Sequence, residues 1–403
     1  MNLYVIVVCC LFTFCRSEEA KLNFLSDKIN NFTLELLFFT NSSSNGANLV
    51  ISPVTVWTTL LVLEAGATGD IQKQISGAIR VLPSTLRKGN LASNFNAFIK
   101  NHEIHSPHLD LQKVSGIFID KNRLPEMEFF QEALKYKTTF IPLDVLDPVK
   151  IKDDLNKLQA HFNTLKLIND NDLHLENDVM LPYSAMYFKG LWTYHFDTHF
   201  TTKKPFYDDN GNKIGEVDMM YNRHTFPNVY IDILQAHAVE LPFANDNKLS
   251  MMVFLPYAGV SLHDAFKNFA KTSFSEVFDE FRQTVSATES PKEILVVMPK
   301  IRTRTRVNLK NTLENMGVYD LFDSESYISL PKMARMPINV KKFIHKVEID
   351  LNEEGVTKSE AMNSVIGTRV GGLTFIANRP FVYFVVEKIT NTILFCGFYV
   401  VPT

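Results

Sequence analysis

Two pairs of histidines have the spacing in this sequence that comes nearest to a metal site. His195 and His199 lie four positions apart, so a helix would carry both on one face, but no third ligand accompanies them. His102 and His105 are three positions apart and lack the spacing of a His-Glu-x-x-His helix. The sequence therefore predicts no metal site.

The acidic cluster Asp208-Asp209-Asn210-Gly211 has the residue types of a calcium loop but no distal Glu. Asp, Asn and Gly also favour a hairpin turn, which is our prediction here. The sequence contains no nucleophile elbow, Cys-x-x-Cys pair, Walker loop or Rossmann glycine run. We expect no catalytic residue and no cofactor, and hence a protein that is not an enzyme.

Two further features have plain structural interpretations. Cys396 is a single cysteine in an apolar run, which is typical of a small core residue rather than a nucleophile. Arg302, Arg304 and Arg306 alternate and would share one face of a strand. We predict a solvated sheet edge there, with a glycosaminoglycan-binding patch as the alternative.

A long segment without a core pattern remains. Val347, Ile349 and Leu351 alternate with acidic residues as in a strand, an acidic corner ending at Gly355 follows, and an apolar strand runs over 380–386. The residues between these strands include Arg369, which lies near the middle of the segment. Because so long a connection is unusual within a compact domain, we interpret it as a loop presented to another protein.

The composition bounds the class of protein. The chain has 403 residues, of which 46% are hydrophobic and 21% charged, with a formal net charge of -3. This composition indicates a globular protein with a large core, and it gives no electrostatic reason to expect nucleic acid or an anionic membrane as a partner. No linker or repeat divides the chain, so we predict one two-lobed unit, most simply a monomer.

The first residues are typical of a secretory signal. An apolar stretch from Leu3 to Cys15 is too short to cross a bilayer and ends in small residues, which predicts a signal peptide over 1–17 and a secreted, extracellular protein. The alternative is an apolar first helix. The sequons at Asn31 and Asn41 are compatible with a glycoprotein, and Asn41 lies in the more polar surroundings.

Periodicity predicts an α+β protein with large antiparallel or mixed sheets, because helices and strands mix without a strict β-α repeat. Helices are predicted over 21–40, 54–65, 71–79, 91–101, 126–136, 149–167, 261–281 and 308–317. Strands are predicted over 48–52, 109–119, near 140, and over 179–187, 229–242, 249–256, 293–299, 347–351 and 380–386.

Several segments, in order along residues 21–403, then resemble one family. They are Asn48-Leu-Val-Ile-Ser-Pro53, Gly66-Ala-Thr-Gly-Asp70, Phe188-Lys-Gly-Leu-Trp192, Met298-Pro-Lys300, His345-Lys346, Asn352-Glu-Glu-Gly355, Phe375-Ile-Ala-Asn-Arg-Pro-Phe381 and Ile393-Leu-Phe-Cys-Gly397. Together they resemble the serpin family. The resemblance implies three β-sheets, eight or nine helices and an exposed reactive centre loop at about 355–376, within a single domain over 18–403.

The resemblance also implies a function. Members act as suicide substrates: a protease cleaves the loop, forms an acyl-enzyme and is trapped when the loop inserts into the central sheet. Two counts both give Arg369-Val370 as the reactive bond: Glu353 is taken as the seventeenth residue before the cleaved bond, and Arg369 lies eleven residues before Pro380. An Arg before the bond suits a trypsin-like serine protease, whose binding pocket holds a carboxylate.

Other roles carry over by position from the same resemblance. The loop hinge corresponds to Glu353, Glu354, Gly355, Val356, Thr357 and Lys358. A polar cluster beneath the central sheet, called the shutter, corresponds to Ser52, Thr55, Ser184 and His345, with Ser184 where an Asn is usual. The breach, where insertion begins, corresponds to Trp192, Lys300 and Glu353.

The hinge departs from the pattern of inhibitory members, which carry small residues where this chain has Lys358 and Glu360. An inserted strand would bury both, and burying an ion costs several kcal/mol unless it is well paired. The two lie on one face about 7 Å apart, close enough to compensate each other partly. Two alternatives stay open: a non-inhibitory serpin with a binding, carrier or storage role, and an inhibitor of cysteine proteases.

Overall fold

The computed structural model describes residues 24–42, 46–81, 90–101, 106–144, 147, 149, 150, 153, 180–288, 292–323, 330–333, 340–357 and 372–403. The predicted signal peptide, almost all of the helix predicted over 149–167, and the loop residues 358–371 lie outside this part of the chain.

Eight α-helices occur in the described residues. They are α1 (24–42), α2 (Pro53–Gly66), α3 (Gly69–Ala78), α4 (Asn90–Asn101), α5 (Met127–Lys135), α6 (Leu262–Lys267), α7 (Phe274–Ser286) and α8 (Lys310–Asn315). Every residue of α2 except Ala65 is buried, which confirms the prediction of a helix inside the core.

Seventeen strands are described. They are β1 (Leu49–Ile51), β2 (Leu109–Asp120), β3 (Thr139–Leu143), β4 (Leu181–Gly190), β5 (Trp192–Tyr194), β6 (Thr202–Tyr207), β7 (Lys213–His224), β8 (Asn228–Ile231), β9 (Ala236–Pro242), β10 (Leu249–Pro256), β11 (Ile294–Pro299), β12 (Ile301–Asn308), β13 (Ile344–Leu351), β14 (Gly355–Thr357), β15 (Leu373–Ile376), β16 (Phe381–Glu387) and β17 (Thr392–Tyr399).

These strands form three larger sheets and one short ladder, in agreement with the expected α+β architecture. The orders are β1-β17-β16-β10-β9-β8, β15-β11-β7-β6 and β12-β13-β4-β2-β3, with β14 and β5 forming the two-stranded ladder. The six-stranded sheet is the deeper layer, because β9, β10, β16 and β17 are buried along nearly their whole length.

The five-stranded sheet positions the candidate site. Its strands β13 and β4 pair directly and in parallel, from Ile344 opposite Tyr183 to Asp350 opposite Lys189. No strand lies between them. Along β13, Val347, Ile349 and Leu351 point into the core while the residues between them are half-buried, so one face of this sheet is apolar.

Three elements differ from the sequence predictions. The strand predicted over 229–242 is an antiparallel hairpin of β8 and β9, because a 3₁₀ turn at Asp232–Leu234 leads into Gln235 with φ 52°. The helix predicted over 261–281 is divided between α6 and α7. Ser273 and Glu276 form a capping box that starts a new helix at Phe274. The helix predicted over 308–317 begins only at Lys310, because β12 extends to Asn308.

Two turns and edges follow the predictions. The carboxylate of Asp208 accepts hydrogen bonds from the backbone of Asn210 and Asn212, and Gly211 has φ +82°, which makes this cluster a hairpin turn between β6 and β7. Strand β12 is the edge of its sheet. Arg302 lies 3.7 Å from Asp350 of the neighbouring strand β13, and Arg304 lies 2.8 Å from Glu348 of the same strand.

Candidate functional site

Only the two ends of the long loop belong to the described residues. The predicted reactive bond, Arg369-Val370, and the charged hinge positions Lys358 and Glu360 lie outside them. Both ends of the predicted loop, at about 355 and 376, are short strands. Gly355–Thr357 forms β14 and Leu373–Ile376 forms β15, which pairs in parallel with β11.

The first end of the loop runs along the continuation of β4. The amide of Trp192 donates to the carbonyl of Glu354 at 3.0 Å, and the amide of Phe196 donates to the carbonyl of Glu353 at 2.9 Å. Gly355 and Thr357 then pair in parallel with Trp192 and Tyr194. The hinge therefore continues in the direction of β13 and does not fold back between β13 and β4.

Gly355 allows this close approach. A Cβ at position 355 would lie 2.5 Å from the backbone nitrogen and the Cα of His195. Real Cβ atoms do not occur at that distance from backbone atoms, so any other residue would push β14 away from β5. The sequence singled out Gly355 only as a turn residue, and the reason found here is contact between two backbones.

An ion pair holds the buried side chain of Glu353, the first residue of the hinge. The side chain of Glu353 is 9% exposed and accepts from Lys300 Nζ and Thr201 Oγ1, both at 2.8 Å. Burial acts to raise the pKa of Glu353, but the hydrogen bonds from Lys300 and Thr201 outweigh it and lower the pKa. The structure thus brings together Lys300 and Glu353, two of the three predicted breach residues.

Trp192, the third of these residues, lies directly beneath the same segment. Its indole Nε1–H donates to the carbonyl of Asn352 at 2.7 Å, and its ring stacks on Phe243 with centroids 4.6 Å apart. The side chain is 1% exposed. Trp192 therefore fixes the backbone just before Glu353 from below, while Lys300 fixes its side chain.

The four predicted shutter residues also lie together. Parallel pairing places His345 of β13 opposite Ser184 of β4, and Ser184 Oγ lies 2.7 Å from His345 Nδ1. The backbone N–H of Ser52 donates to His345 Nε2 at 3.0 Å, and Thr55 Oγ1 donates to the carbonyl of Ser52. All four are buried, so β13, β4 and the start of α2 meet at one polar cluster.

The protonation state of His345 follows from these contacts. A backbone N–H can only donate, so Nε2 must carry the lone pair and Nδ1 the proton, which is donated to Ser184. Burial lowers the pKa of His345 to about 3, because the charged imidazolium would lose its hydration. His345 is therefore neutral in the folded protein.

Ser52 does not use its side chain as a helix cap. It precedes Pro53 at the first position of α2, yet its Oγ contacts Met186 Sδ on β4 at 2.7 Å. The hydroxyl thus links the start of α2 to β4. The roles proposed for this cluster and for the residues near Glu353 remain predictions.

Sequence reasoning missed two residues at the base of the loop. Asn222, fully buried on β7, donates through its amide to the carbonyls of Tyr194 and His195 at 3.0 Å each. His224 stacks on Tyr194 with ring centroids 3.6 Å apart. An amide at an inward position of an alternating strand was the available signal for Asn222, because a buried polar group needs partners.

The two sequons have different surroundings. Asn31 is half-buried in α1 and lines a surface cavity, while Thr33 of its sequon is fully buried and donates to the carbonyl of Ile29. Asn41 is half-buried near the end of α1. Glycosylation of either residue stays a prediction.

The remaining candidates can be placed briefly. Cys396 is a free, fully buried thiol in β17, which confirms its prediction as a core residue, and burial raises its pKa. His199 pairs with Asp197, and His102 and His105 lie outside the described residues. Among the residues that are described, no group of three or more His, Cys, Asp or Glu side chains could hold a metal ion.

No helix in the described part of the chain combines the length and apolar character needed to cross a membrane.

Comparisons with known proteins agree on one family. The family model described as Serpin (serine protease inhibitor) matches residues 27–402. The chain is 26% identical to human Serpin B11 over 392 residues, covering 91% of this chain and 96% of that protein. It is 28% identical to serine protease inhibitor 42Dd of Drosophila melanogaster, covering 91% and 95%. The solved structure of mouse protein-Z dependent protease inhibitor superposes with a TM-score of 0.78 at 19% identity, covering 96% of this chain and all of that one.

Proposed function

The chain belongs to the serpin (serine protease inhibitor) family, and we propose that it is a secreted suicide-substrate inhibitor of trypsin-like serine endopeptidases, cleaved at Arg369-Val370. The observation that carries this proposal is the direct pairing of β13 with β4. The sheet into which a cleaved loop would insert is closed, and the hinge points away from it along β5. We take this to be the state before cleavage, because the place that an inserted strand would occupy is still closed.

The chemistry of the first step belongs to the protease. Its serine oxygen attacks the carbonyl carbon of Arg369, and its histidine takes the serine proton and passes it to the departing amine of Val370. The products are an ester between the protease serine and Arg369, and a new N-terminus at Val370. The arginine side chain supplies specificity, since a guanidinium pairs with a carboxylate through two parallel hydrogen bonds.

This chain's own residues act in the second step. Cleavage releases residues 356–369 from their anchor at β15, so the segment can reverse at the hinge and enter between β13 and β4. Entry must break the pairs between β14 and β5 and the seven pairs between β13 and β4. In return the new strand gains two hydrogen-bonded neighbours, and the attached protease is carried along before water can hydrolyse the ester.

A gel assay tests this proposal. Incubation with trypsin is expected to give a covalent complex that survives SDS, and Arg369→Ala is expected to abolish it. A matched control is Arg302→Ala, which removes an exposed arginine from the edge strand β12. Complete cleavage of the loop without any complex would overturn the proposal.

A non-inhibitory serpin is the second candidate, and a specific observation favours it. The core-facing side of the paired strands β13 and β4 is apolar and includes Val347, Ile349, Met186 and Phe188. Lys358 and Glu360 would enter this face on insertion, at a cost of several kcal/mol if poorly paired. For such a protein, loop cleavage is expected to leave the melting temperature nearly unchanged, and a large rise would refute this candidate.

A third candidate is an inhibitor of cysteine proteases. Such an inhibitor would be cleaved in the same loop, but the loop would form a thioester with the attacking cysteine of the protease. The gel assay with a papain-like enzyme decides it, because a complex with that enzyme and none with trypsin would replace the first proposal.

Secretion and glycosylation rest on the residues before 24 and on the two sequons. Expression in a secretory eukaryotic cell is expected to give a protein in the medium whose N-terminus is at residue 18, and whose mass falls on enzymatic removal of N-glycans. We further propose that residues 18–403 fold as one domain and act as a monomer. A protein retained inside the cell with Met1 intact would contradict the predicted signal peptide.

A further inference from the structure

A surface cavity lies between α1 and the segment that joins α6 to α7. Its volume is about 450 Å³, which lies within the range of about 300–1,000 Å³ that is typical of small-molecule sites. None of the described residues of the long loop, and none of those near Glu353, lines it. The cavity is therefore distinct from the inhibitory site proposed above.

The walls of the cavity are mainly aromatic. Phe38 and Phe39 project from α1, and Phe266 and Phe269 come from α6 and the turn after it. Two of these rings connect the cavity to the core, because Phe266 packs edge-on against Phe398 and Phe269 packs against Phe384 of the six-stranded sheet. The floor is thus a fixed apolar surface.

The rim of the cavity carries an unbalanced positive charge. Arg80 is paired with Glu35, and this pair compensates itself. Lys267 also lines the cavity and is exposed. Among the described residues, Lys267 has no hydrogen-bond partner. One cation and the remaining N–H groups of Arg80 are therefore available beside an apolar recess.

We propose that this cavity binds an amphipathic monocarboxylate, namely a medium- or long-chain fatty acid. The carboxylate contacts Lys267 and the remaining N–H groups of Arg80, and the acyl chain lies on the four phenylalanine rings. Charge selects this class of ligand. The charged lining residues Arg80, Lys267 and Glu35 leave one net positive charge, which one carboxylate balances. A neutral amphiphile would leave that charge unbalanced, and a dianionic phosphate would exceed it. The recess is also too small and concave for a folded protein partner.

Binding can be measured directly with a fluorescent fatty acid. The protein is produced in bacteria, which leaves Asn31 without a glycan, stripped of lipid, and titrated with 11-(dansylamino)undecanoic acid. We expect a saturable rise in fluorescence at one site per chain, together with a rise in melting temperature, because a ligand that binds only the folded state stabilises it. The methyl ester of the same probe is expected to bind more weakly.

Three variants locate the site. Ala270→Trp places a large ring at an exposed position in the cavity wall and is expected to abolish saturable binding. Lys267→Gln is expected to weaken binding about three- to fivefold, the effect of an exposed charge pair. Lys271→Gln is the matched control, because Lys271 is exposed in the same turn but does not line the cavity, and it is expected to bind as the wild type does.

The outcomes that overturn the proposal are distinct. No saturable binding by the wild type, or unchanged binding by Ala270→Trp, would remove the site itself. Equal affinity for the acid and its ester would leave an apolar site but reject the carboxylate ligand. None of these results depends on trypsin inhibition, which is measured separately and is expected to be the same in all three variants.

Discussion

His345 connects three elements through its two ring nitrogens. One nitrogen accepts from the backbone of Ser52 at the start of α2, and the other lies against Ser184 of β4. Protonation would place a second N–H against the N–H of Ser52, so the contact between α2 and β13 would become repulsive. The neutral imidazole is therefore part of what keeps β13 and β4 together.

The folded protein is accordingly expected to lose stability in mild acid. Because burial lowers the pKa of His345 to about 3, the unfolded chain binds this proton first as the pH falls below about 6.5. The stabilising contribution is complete above that pH and decreases by up to about 1.4 kcal/mol per pH unit between pH 6 and pH 3.

Chemical unfolding between pH 8 and pH 5 measures this effect. The slope of stability against pH is compared with that of His345→Gln, whose side chain does not titrate, so a difference in absolute stability between the two proteins does not matter. His237 also has a lowered pKa, near 4, and its contribution is common to both proteins. Identical slopes would contradict the role assigned to His345.

A second prediction at this scale concerns Lys300. Removing it leaves the carboxylate of Glu353 in a site 9% exposed with only Thr201 as a side-chain donor. Lys300→Ala is expected to cost about 1–3 kcal/mol of unfolding free energy, since a poorly satisfied buried acceptor is expensive. Lys300 directly follows β11, and Lys292 is an exposed lysine just before that strand. Lys292→Ala therefore serves as the control.

The double variant Lys300→Ala with Glu353→Gln distinguishes a lost ion pair from lost packing. A neutral amide needs no cation, so the double variant is expected to recover part of the stability lost in Lys300→Ala. If Lys300→Ala unfolds at the same denaturant concentration as Lys292→Ala, the pair contributes nothing and the interpretation is wrong.

At the scale of elements, β14 is the strand that holds the hinge outside the sheet. Gly355→Ala would bring a Cβ to within 2.5 Å of the His195 backbone, and relieving such overpacking costs about 1–3 kcal/mol. The expected result is separation of β14 from β5. Hydrogen exchange at the amides of Trp192 and Phe196, which donate to this segment, is then expected to become about tenfold faster or more.

Gly77→Ala is the matched control for that experiment. Gly77 lies within α3, and a Cβ there would meet nothing within 4 Å. Alanine in a helix interior is favoured over glycine by about 0.5–1 kcal/mol, so this variant is expected to be as stable as the wild type or more stable. If hydrogen exchange at the Trp192 amide is unchanged in Gly355→Ala, β14 tolerates a side chain at position 355. The close contact with β5 would then not be what holds the hinge outside the sheet.

Sequence patterning predicted most elements because their periodicity is local. It failed where a break was encoded by turn chemistry within an apolar pattern. Gln235 adopts positive φ between β8 and β9, which the sequence pattern predicted as one strand. The capping box of Ser273 and Glu276 starts α7 inside what the pattern predicted as one continuous helix. Strand β14 was not predicted, because it is defined by its contact with β5 more than by its own residues.

At the scale of the molecule, the sheet order was beyond reach from patterning. His345 and Ser184 are brought together by a parallel register between strands far apart in the chain, and a period of two does not specify which strand is the neighbour. The predicted cluster of Ser52, Thr55, Ser184 and His345 came from resemblance to a family and not from spacing. The contacts of Asn222 and the neutral state of His345 required the coordinates.

Because β13 and β4 pair directly, a cleaved loop must separate them to insert. The charged residues Lys358 and Glu360 must then enter between the two strands, so they decide whether insertion succeeds. If Val356 enters facing the core, Lys358 and Glu360 follow onto the same apolar face, beside Val347, Ile349, Met186 and Phe188. A buried charge with a partner costs less than one left alone, by about 3–5 kcal/mol. Lys358→Ala or Glu360→Ala alone is therefore expected to slow insertion, whereas the double variant, which buries no charge, is expected to speed it.

The number of inhibitor molecules consumed per trypsin captured should be highest for the single variants, intermediate for the wild type and lowest for the double variant. If the single variants capture trypsin as efficiently as the double variant, the two side chains do not enter the core together, and the inserted strand must take the opposite register, with residues 358 and 360 on the side of Lys346, Glu348 and Asp350.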